Sequence, residues 1–236
     1  MNVIGCLCIH GFTGSPYEVE PIVKYLKKNT NWRIVSPTLP GHGEEETLEK
    51  VNYTDWISFV EHSLQTLTRE CETVYVIGFS MGGLLASYLA TKYRVNKLIL
   101  LSAAAQYINI KQLALDIRDI IKDGLRGHIH DNILFQRYRR KIVATPLSAT
   151  REFRKLVKYI KPQLPLVTIP TLIVQGECDG IVPVTSAHYL FENIGSEEKR
   201  LVFLASSHHH VCHGPDYTQL EKEVSQFLNI KEKSSC

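Results

Sequence analysis

Residues 73–90, TVYVIGFSMGGLLASYLA, decide how this chain folds. The first seven are an apolar, β-branched run of strand length, and from Met81 onward Leu84, Leu85, Tyr88 and Leu89 fall on one helical face. Between the two, Gly78-Phe79-Ser80-Met81-Gly82 sets a serine in the turn from strand to helix. Side chains at 78 and 82 would collide with the adjoining strand and helix, and the serine backbone is forced into a strained turn. Five letters of the form G-x-S-x-G arise by chance. In a strand–turn–helix context they are the setting of a nucleophile elbow, with the helix N-terminus favouring developing negative charge at Ser80. The bland alternative is a serine in an ordinary strand-to-helix turn.

Outward from this unit, short apolar runs recur at 3–9, 32–37, 97–102, 171–177 and 199–205. They are near-continuous rather than alternating, as expected of strands buried on both faces, and amphipathic segments separate them. The pattern predicts an α/β fold: a mostly parallel sheet of six to seven strands flanked by helices. Trp56, Phe59, Val60, Leu64 and Leu67 line one helix face, and Tyr217, Leu220, Val224, Phe227 and Leu228 line the last. Ser15-Pro16-Tyr17-Glu18 reads as a capping box with Ser15 as N-cap and Glu18 reaching back. Pro21 then requires either a kink or a helix that starts there. Residues 105–168 interrupt the alternation with helical, charged sequence. They are expected to form a helical cap inserted after the strand at 97–102, leaving 1–104 plus 169–236 as the core. At the carboxyl end of a parallel sheet such an insertion is placed to cover a ligand.

The 236 residues suffice for one domain with a large core. A net charge of +3, from 27 basic and 24 acidic residues, carries no signature of nucleic-acid binding. The basic run 137–141 (RYRRK) reads as a solvated helix face. No apolar run is long enough to span a membrane and the N-terminus lacks a targeting pattern. Six cysteines, at 6, 8, 71, 178, 212 and 236, show no C-x-x-C spacing, and free thiols in a reducing cytoplasm are expected.

A nucleophilic serine needs three further parts. The loop HGFTGSP, residues 10–16, follows the first strand and is placed to aim a backbone N–H at a reacting carbonyl. Phe12 and Met81 are the expected oxyanion donors, and loss of one such donor costs about 3 kcal/mol. His10 is expected to hold that loop rather than react. After the fifth predicted strand, GECDGIVPV (176–184) supplies a carboxylate in the order Ser…Asp…His. Asp179 is the choice, and Glu177 the rival nearer the strand. The base then belongs in SSHHHVCHG (206–214), where His208, His209 and His210 are all candidates. Successive side chains of an extended segment diverge, and no zinc-ligand spacing is present, so a metal site is not expected.

These residues resemble the α/β-hydrolase fold family, and within it small bacterial carboxylesterases and monoacylglycerol lipases. The matching motifs are HGFTG (10–14), PGHG (40–43), GFSMGG (78–83), GECDGIVP (176–183) and SSHHH (206–210). The resemblance implies ester hydrolysis through an acyl-serine intermediate, a small-molecule ester substrate, no metal or organic cofactor, and a cap shaping the acyl pocket. It also implies that the chain lacks the extra N-terminal strands of larger members. The family's Ser-x-His pattern matches Ser207-x-His209 and selects His209, although His210-Val211 matches its His-Val step. A serine carboxylesterase acting on short- to medium-chain esters is therefore expected. Monoacylglycerol lipase, thioesterase, aminopeptidase and perhydrolase activities share the same triad. A ligand-binding receptor on this fold is the non-enzymatic alternative.

Overall fold

A computed structural model describes residues 3–43, 47–106 and 146–230. Among them six strands form one all-parallel sheet in the order β2-β1-β3-β4-β5-β6. The strands are β1 (Ile4–Ile9), β2 (Arg33–Val35), β3 (Thr73–Phe79), β4 (Lys97–Leu101), β5 (Thr171–Gly176) and β6 (Lys199–Leu204). The helices are α1 (Glu20–Asn29), α2 (Tyr53–Glu70), α3 (Met81–Lys92), α4 (Leu147–Ile160), α5 (Val184–Asn193) and α6 (Tyr217–Leu228). Within these residues no helix is long and apolar enough to cross a membrane.

Period-two alternation divides each strand between two cores. Leu7, Ile9, Val74, Val76, Leu98 and Leu100 pack with α2, α3, α4 and α5 on one face. Cys6, Cys8, Ile77, Phe79, Ile99 and Leu101 pack with α1 and α6 on the other. The five described cysteines are free thiols. Both faces being covered, the strands read as apolar runs in the sequence.

Two local expectations change. The predicted capping box at Ser15 does not form: residues Pro16–Val19 make a 3₁₀ turn in which the Ser15 side chain caps nothing. The helix begins at Glu20, with Pro21 in its first turn, where a missing N–H costs nothing. Glu18 points elsewhere, as described below. Helix α3 is also buried all round from Met81 to Ala90 rather than on one face, because it is wedged between the sheet and the α2–α4 layer.

Most of the predicted cap, residues 107–145 with the run 137–141, lies outside the described residues. The described part of 105–168 includes α4, whose Phe153, Leu156 and Val157 join the same core as α2 and α3.

From β1 the chain moves to β2 on one side and then to β3 on the other. The strand order therefore reverses between β1 and β3, and the crevice outside their carboxyl ends is where open α/β sheets bind ligands. The loop after β1 and Ser80 after β3 flank that crevice.

Candidate active site

Ser80 sits between β3 and α3 with φ 52° and ψ −116°, a conformation that side chains rarely adopt. The surroundings hold it there. Its N–H donates to Leu101 O at 2.9 Å, and its carbonyl accepts from Gly83 N–H at 3.0 Å and Ala104 N–H at 3.2 Å. A Cβ at Gly78 would overlap the Gly82 carbonyl, and one at Gly82 would overlap the carbonyls of Ile9 and His10. The two glycines thus let α3 start directly against the ends of β1 and β3.

The imidazole of His209 lies between Ser80 and Asp179. Its Nε2 is 3.1 Å from Ser80 Oγ and its Nδ1 is 2.8 Å from Asp179 Oδ2. A carboxylate only accepts, so Nδ1 carries the proton and Nε2 is left to accept from the Ser80 hydroxyl. Side-chain exposure is 5% for His209 and 0% for Asp179. Burial pushes the Asp179 proton affinity up. The adjacent His209, through its charge and its hydrogen bond, and the N–H groups of Val182 and Ile181 outweigh that and hold the carboxyl below its ordinary value. Those two N–H groups donate to Oδ1 at 2.9 and 2.8 Å. Glu177, the rival carboxylate, takes no part in this line of bonds.

The neighbouring histidines turn to different partners. His208 Nδ1–H donates to Cys178 O at 2.8 Å, and His210 Nε2–H faces Glu18 Oε1 at 3.4 Å. The three rings therefore present no common point, and among the described residues no group of three or more His, Cys, Asp or Glu side chains could hold a metal ion.

The loop after β1 closes the site from the other side. A Cβ at Gly11 would lie 3.1 Å from Ser80 Cβ, so this loop and the serine are in near contact. Fully buried His10 accepts from Leu39 N–H through Nε2 at 3.0 Å and donates from Nδ1 to Gly11 O at 2.9 Å, joining the loop to the PGHG segment. The Phe12 ring stacks on Phe153 of α4 at 5.1 Å and meets Trp56 and His42 edge-on. Among the described residues no backbone acceptor meets the Phe12 N–H. Met81 is the first residue of α3, so its N–H is one of the donors a helix leaves unpaired.

Residues 5–216 match the family described as serine aminopeptidase, S33. The chain belongs to that family. It has the α/β-hydrolase fold and stands among esterase- and lipase-type hydrolases. A thermostable monoacylglycerol lipase of Bacillus sp. (strain H-257) is 29% identical over 217 residues, 87% of this chain and 82% of that protein. A carboxylesterase of Bacillus subtilis (strain 168) is 20% identical over 94% of this chain and 91% of its own length. A solved structure from work on two metagenome-derived lipolytic enzymes, LipS and LipT, superposes with a TM-score of 0.79 at 23% identity. It covers 97% of this chain and 94% of that one.

Three side chains of this S33 hydrolase touch the site without having been singled out for it. Gln175 of β5 is fully buried and donates from Nε2 to Asp179 Oδ2 at 2.8 Å, the oxygen His209 also uses, and to Val182 O at 3.1 Å. The available signal was a polar residue inside the apolar run TLIVQG, since buried polar groups require partners. Asp216 at the start of α6 accepts from Ser206 N–H at 2.8 Å and Ser207 O–H at 2.9 Å, tying down the loop that carries His209. The third is Glu18, which accepts from Gly11 N–H at 2.8 Å.

Proposed function

We propose that this S33 hydrolase cleaves short- to medium-chain carboxylic esters through an acyl-Ser80 intermediate. The observation that carries the reading is the unbroken hydrogen-bonded line Asp179–His209–Ser80, ending on a serine held at positive φ beside the loop 10–14. In this reading His209 takes the Ser80 proton as Oγ attacks the ester carbonyl. Asp179 holds the imidazole in its Nδ1–H tautomer and stabilises the imidazolium. The N–H groups of Phe12 and Met81 receive the oxyanion. His209 then protonates the departing alcohol, and a water molecule repeats the sequence to release the acid and restore Ser80. Within the described part of 105–168, Phe153 of α4 carries the contact to Phe12 beside this site.

Turnover of p-nitrophenyl butyrate tests the proposal. Ser80→Ala and His209→Ala should each lower kcat by at least about 10³-fold, and His208→Ala should not. Labelling by a fluorophosphonate probe should disappear in Ser80→Ala, fall steeply in His209→Ala and persist in His208→Ala. Wild-type turnover by Ser80→Ala would refute it. The 29% identical monoacylglycerol lipase favours a second reading, in which the alcohol is glycerol. Monoacylglycerols and alkyl esters of graded acyl length, run beside amino-acid p-nitroanilides, separate the lipase, esterase and aminopeptidase activities.

A further inference from the structure

Glu18 is a carboxylate 2% exposed that stands outside the Asp179–His209–Ser80 line. Isolated burial of a carboxylate costs several kcal/mol, so its partners must be specific. One is the Gly11 N–H, bound to Oε2 at 2.8 Å. The backbone of residues 11–14 wraps around the same group. A Cβ at Gly14 would overlap the whole carboxyl group, and one at Gly11 would lie 3.2 Å from Oε2. The loop closes on itself through Thr13 at φ 61° and a Gly14 N–H to Gly11 O bond of 3.3 Å.

On its other side the carboxylate faces the segment that carries the base. Oε1 lies 3.4 Å from His210 Nε2, one residue beyond His209. A parallel tie stands beside it: His213 Nε2–H donates to Tyr17 O at 2.8 Å, and the two rings stack with centroids 4.7 Å apart. The segment 210–213 thus grips the turn Pro16–Val19 at two points, and Glu18 relays one of them to the backbone of the oxyanion loop.

We propose that Glu18 is a positioning residue for acyl transfer: it shapes the loop 10–14 through the Gly11 N–H and joins that loop to the base segment through His210. The Phe12 N–H and the His209 ring, carried by segments far apart in sequence, are thereby held at a fixed separation. A misplacement of about 1 Å at such a site costs roughly 100-fold in rate. The inference rests on the acyl-Ser80 reading above.

The experiment compares Glu18→Ala, Glu18→Asp, Glu18→Gln and His210→Gln in p-nitrophenyl butyrate hydrolysis, with rates divided by fluorophosphonate-titrated sites. Glu18→Ala should lower kcat by about 10- to 100-fold with KM nearly unchanged. Glu18→Asp, which withdraws the carboxylate but keeps its charge and is the smaller perturbation to folding, should lower kcat in the same way. Glu18→Gln keeps an acceptor for Gly11 and should recover most of the rate. The loss in Glu18→Ala/His210→Gln should be smaller than the product of the two single losses, because both act through one contact. Full kcat per titrated site in Glu18→Ala or Glu18→Asp, or no recovery in Glu18→Gln, overturns the proposal. Amide exchange at Gly11 is read independently of turnover. Protection there should be lost in Glu18→Asp and kept in Glu18→Gln, and equal protection in both overturns the loop-shaping role. A wild type that neither turns over esters nor takes the fluorophosphonate defeats the acyl-Ser80 reading instead, while the Gly11 exchange still judges the contact.

Discussion

The Asp179 carboxylate accepts four N–H groups, from Ile181, Val182, His209 and Gln175. Three of them come from its own loop and from His209, and only Gln175 reaches it from the rigid sheet. Gln175 has an unusual balance of costs. Its Nε2 is well bonded, but its Oε1 is buried without a partner among the described residues. Such an orphan costs about 1–3 kcal/mol, which a methionine of similar length would not incur. Gln175→Met removes that orphan but also takes a donor from Asp179 and from the Val182 carbonyl, so the two effects should nearly offset and stability in a urea titration should change little. The substitution should also lower kcat about tenfold, because Asp179 loses the donor that fixes the oxygen facing His209. Loss of both stability and activity in proportion would mean that Gln175 serves packing alone. The strain at Ser80 fits the same pattern, a local cost of about 1–3 kcal/mol held in place by surrounding hydrogen bonds.

At the scale of elements, α3 is the piece on which sheet and site both depend, and its glycines fix how closely it approaches. Gly82→Ala would drive a methyl group into the carbonyls of Ile9 and His10, which are backbone and cannot rotate away. The helix must back off from β1, moving Ser80 away from the loop 10–14. Destabilisation of about 2–3 kcal/mol, seen as a lower urea midpoint, should accompany a fall in esterase rate larger than the lost folded fraction explains. This close approach was legible in the letters G-x-S-x-G because sterics there are local. So was the covering of both sheet faces, since the near-continuous apolar runs at 73–79 and 97–101 fit strands buried on both sides. The all-round burial of α3 was not, because it depends on α2 and α4 arriving from elsewhere in the chain. Glu18 was misread for the same reason. S-P-Y-E satisfies a local capping pattern, while the partners that hold its carboxylate are Gly11, upstream of the pattern, and His210, at the far end of the chain.

At the scale of the molecule, and among the described residues, the loops after β1, β3, β5 and β6 meet at the carboxyl edge of the sheet. The segment 206–214 ties them together: His208 binds the loop after β5, His209 meets Ser80 and Asp179, and His210 and His213 bind the turn after β1. The run of adjacent histidines is thus a divergent set: His208 and His209 both reach the loop after β5, His209 also meets Ser80, and His210 turns to Glu18. An assembly held by titratable groups depends on pH, and two of the groups have shifts of known sign. Burial depresses the proton affinity of His213, with His210 adding to the effect, against the opposing bond to Tyr17 O and the charges of Glu18 and Glu20. On acidification the unfolded chain takes up that proton first, near its ordinary value of about 6.5, so stability falls from there toward the lower folded value. Asp179 is depressed as well. The stability it contributes is full above an unfolded value of about 3.9 and is lost as pH falls through the folded one. Urea midpoints measured from pH 8 to pH 3 should therefore decline in two separate windows. His213→Gln retains an N–H for the Tyr17 carbonyl but cannot titrate, and should flatten the decline that begins near about 6.5 while leaving the acid one in place. Asp179→Asn should do the converse. A His213→Gln curve that runs parallel to wild type through the upper window would show that this histidine does not couple protons to folding.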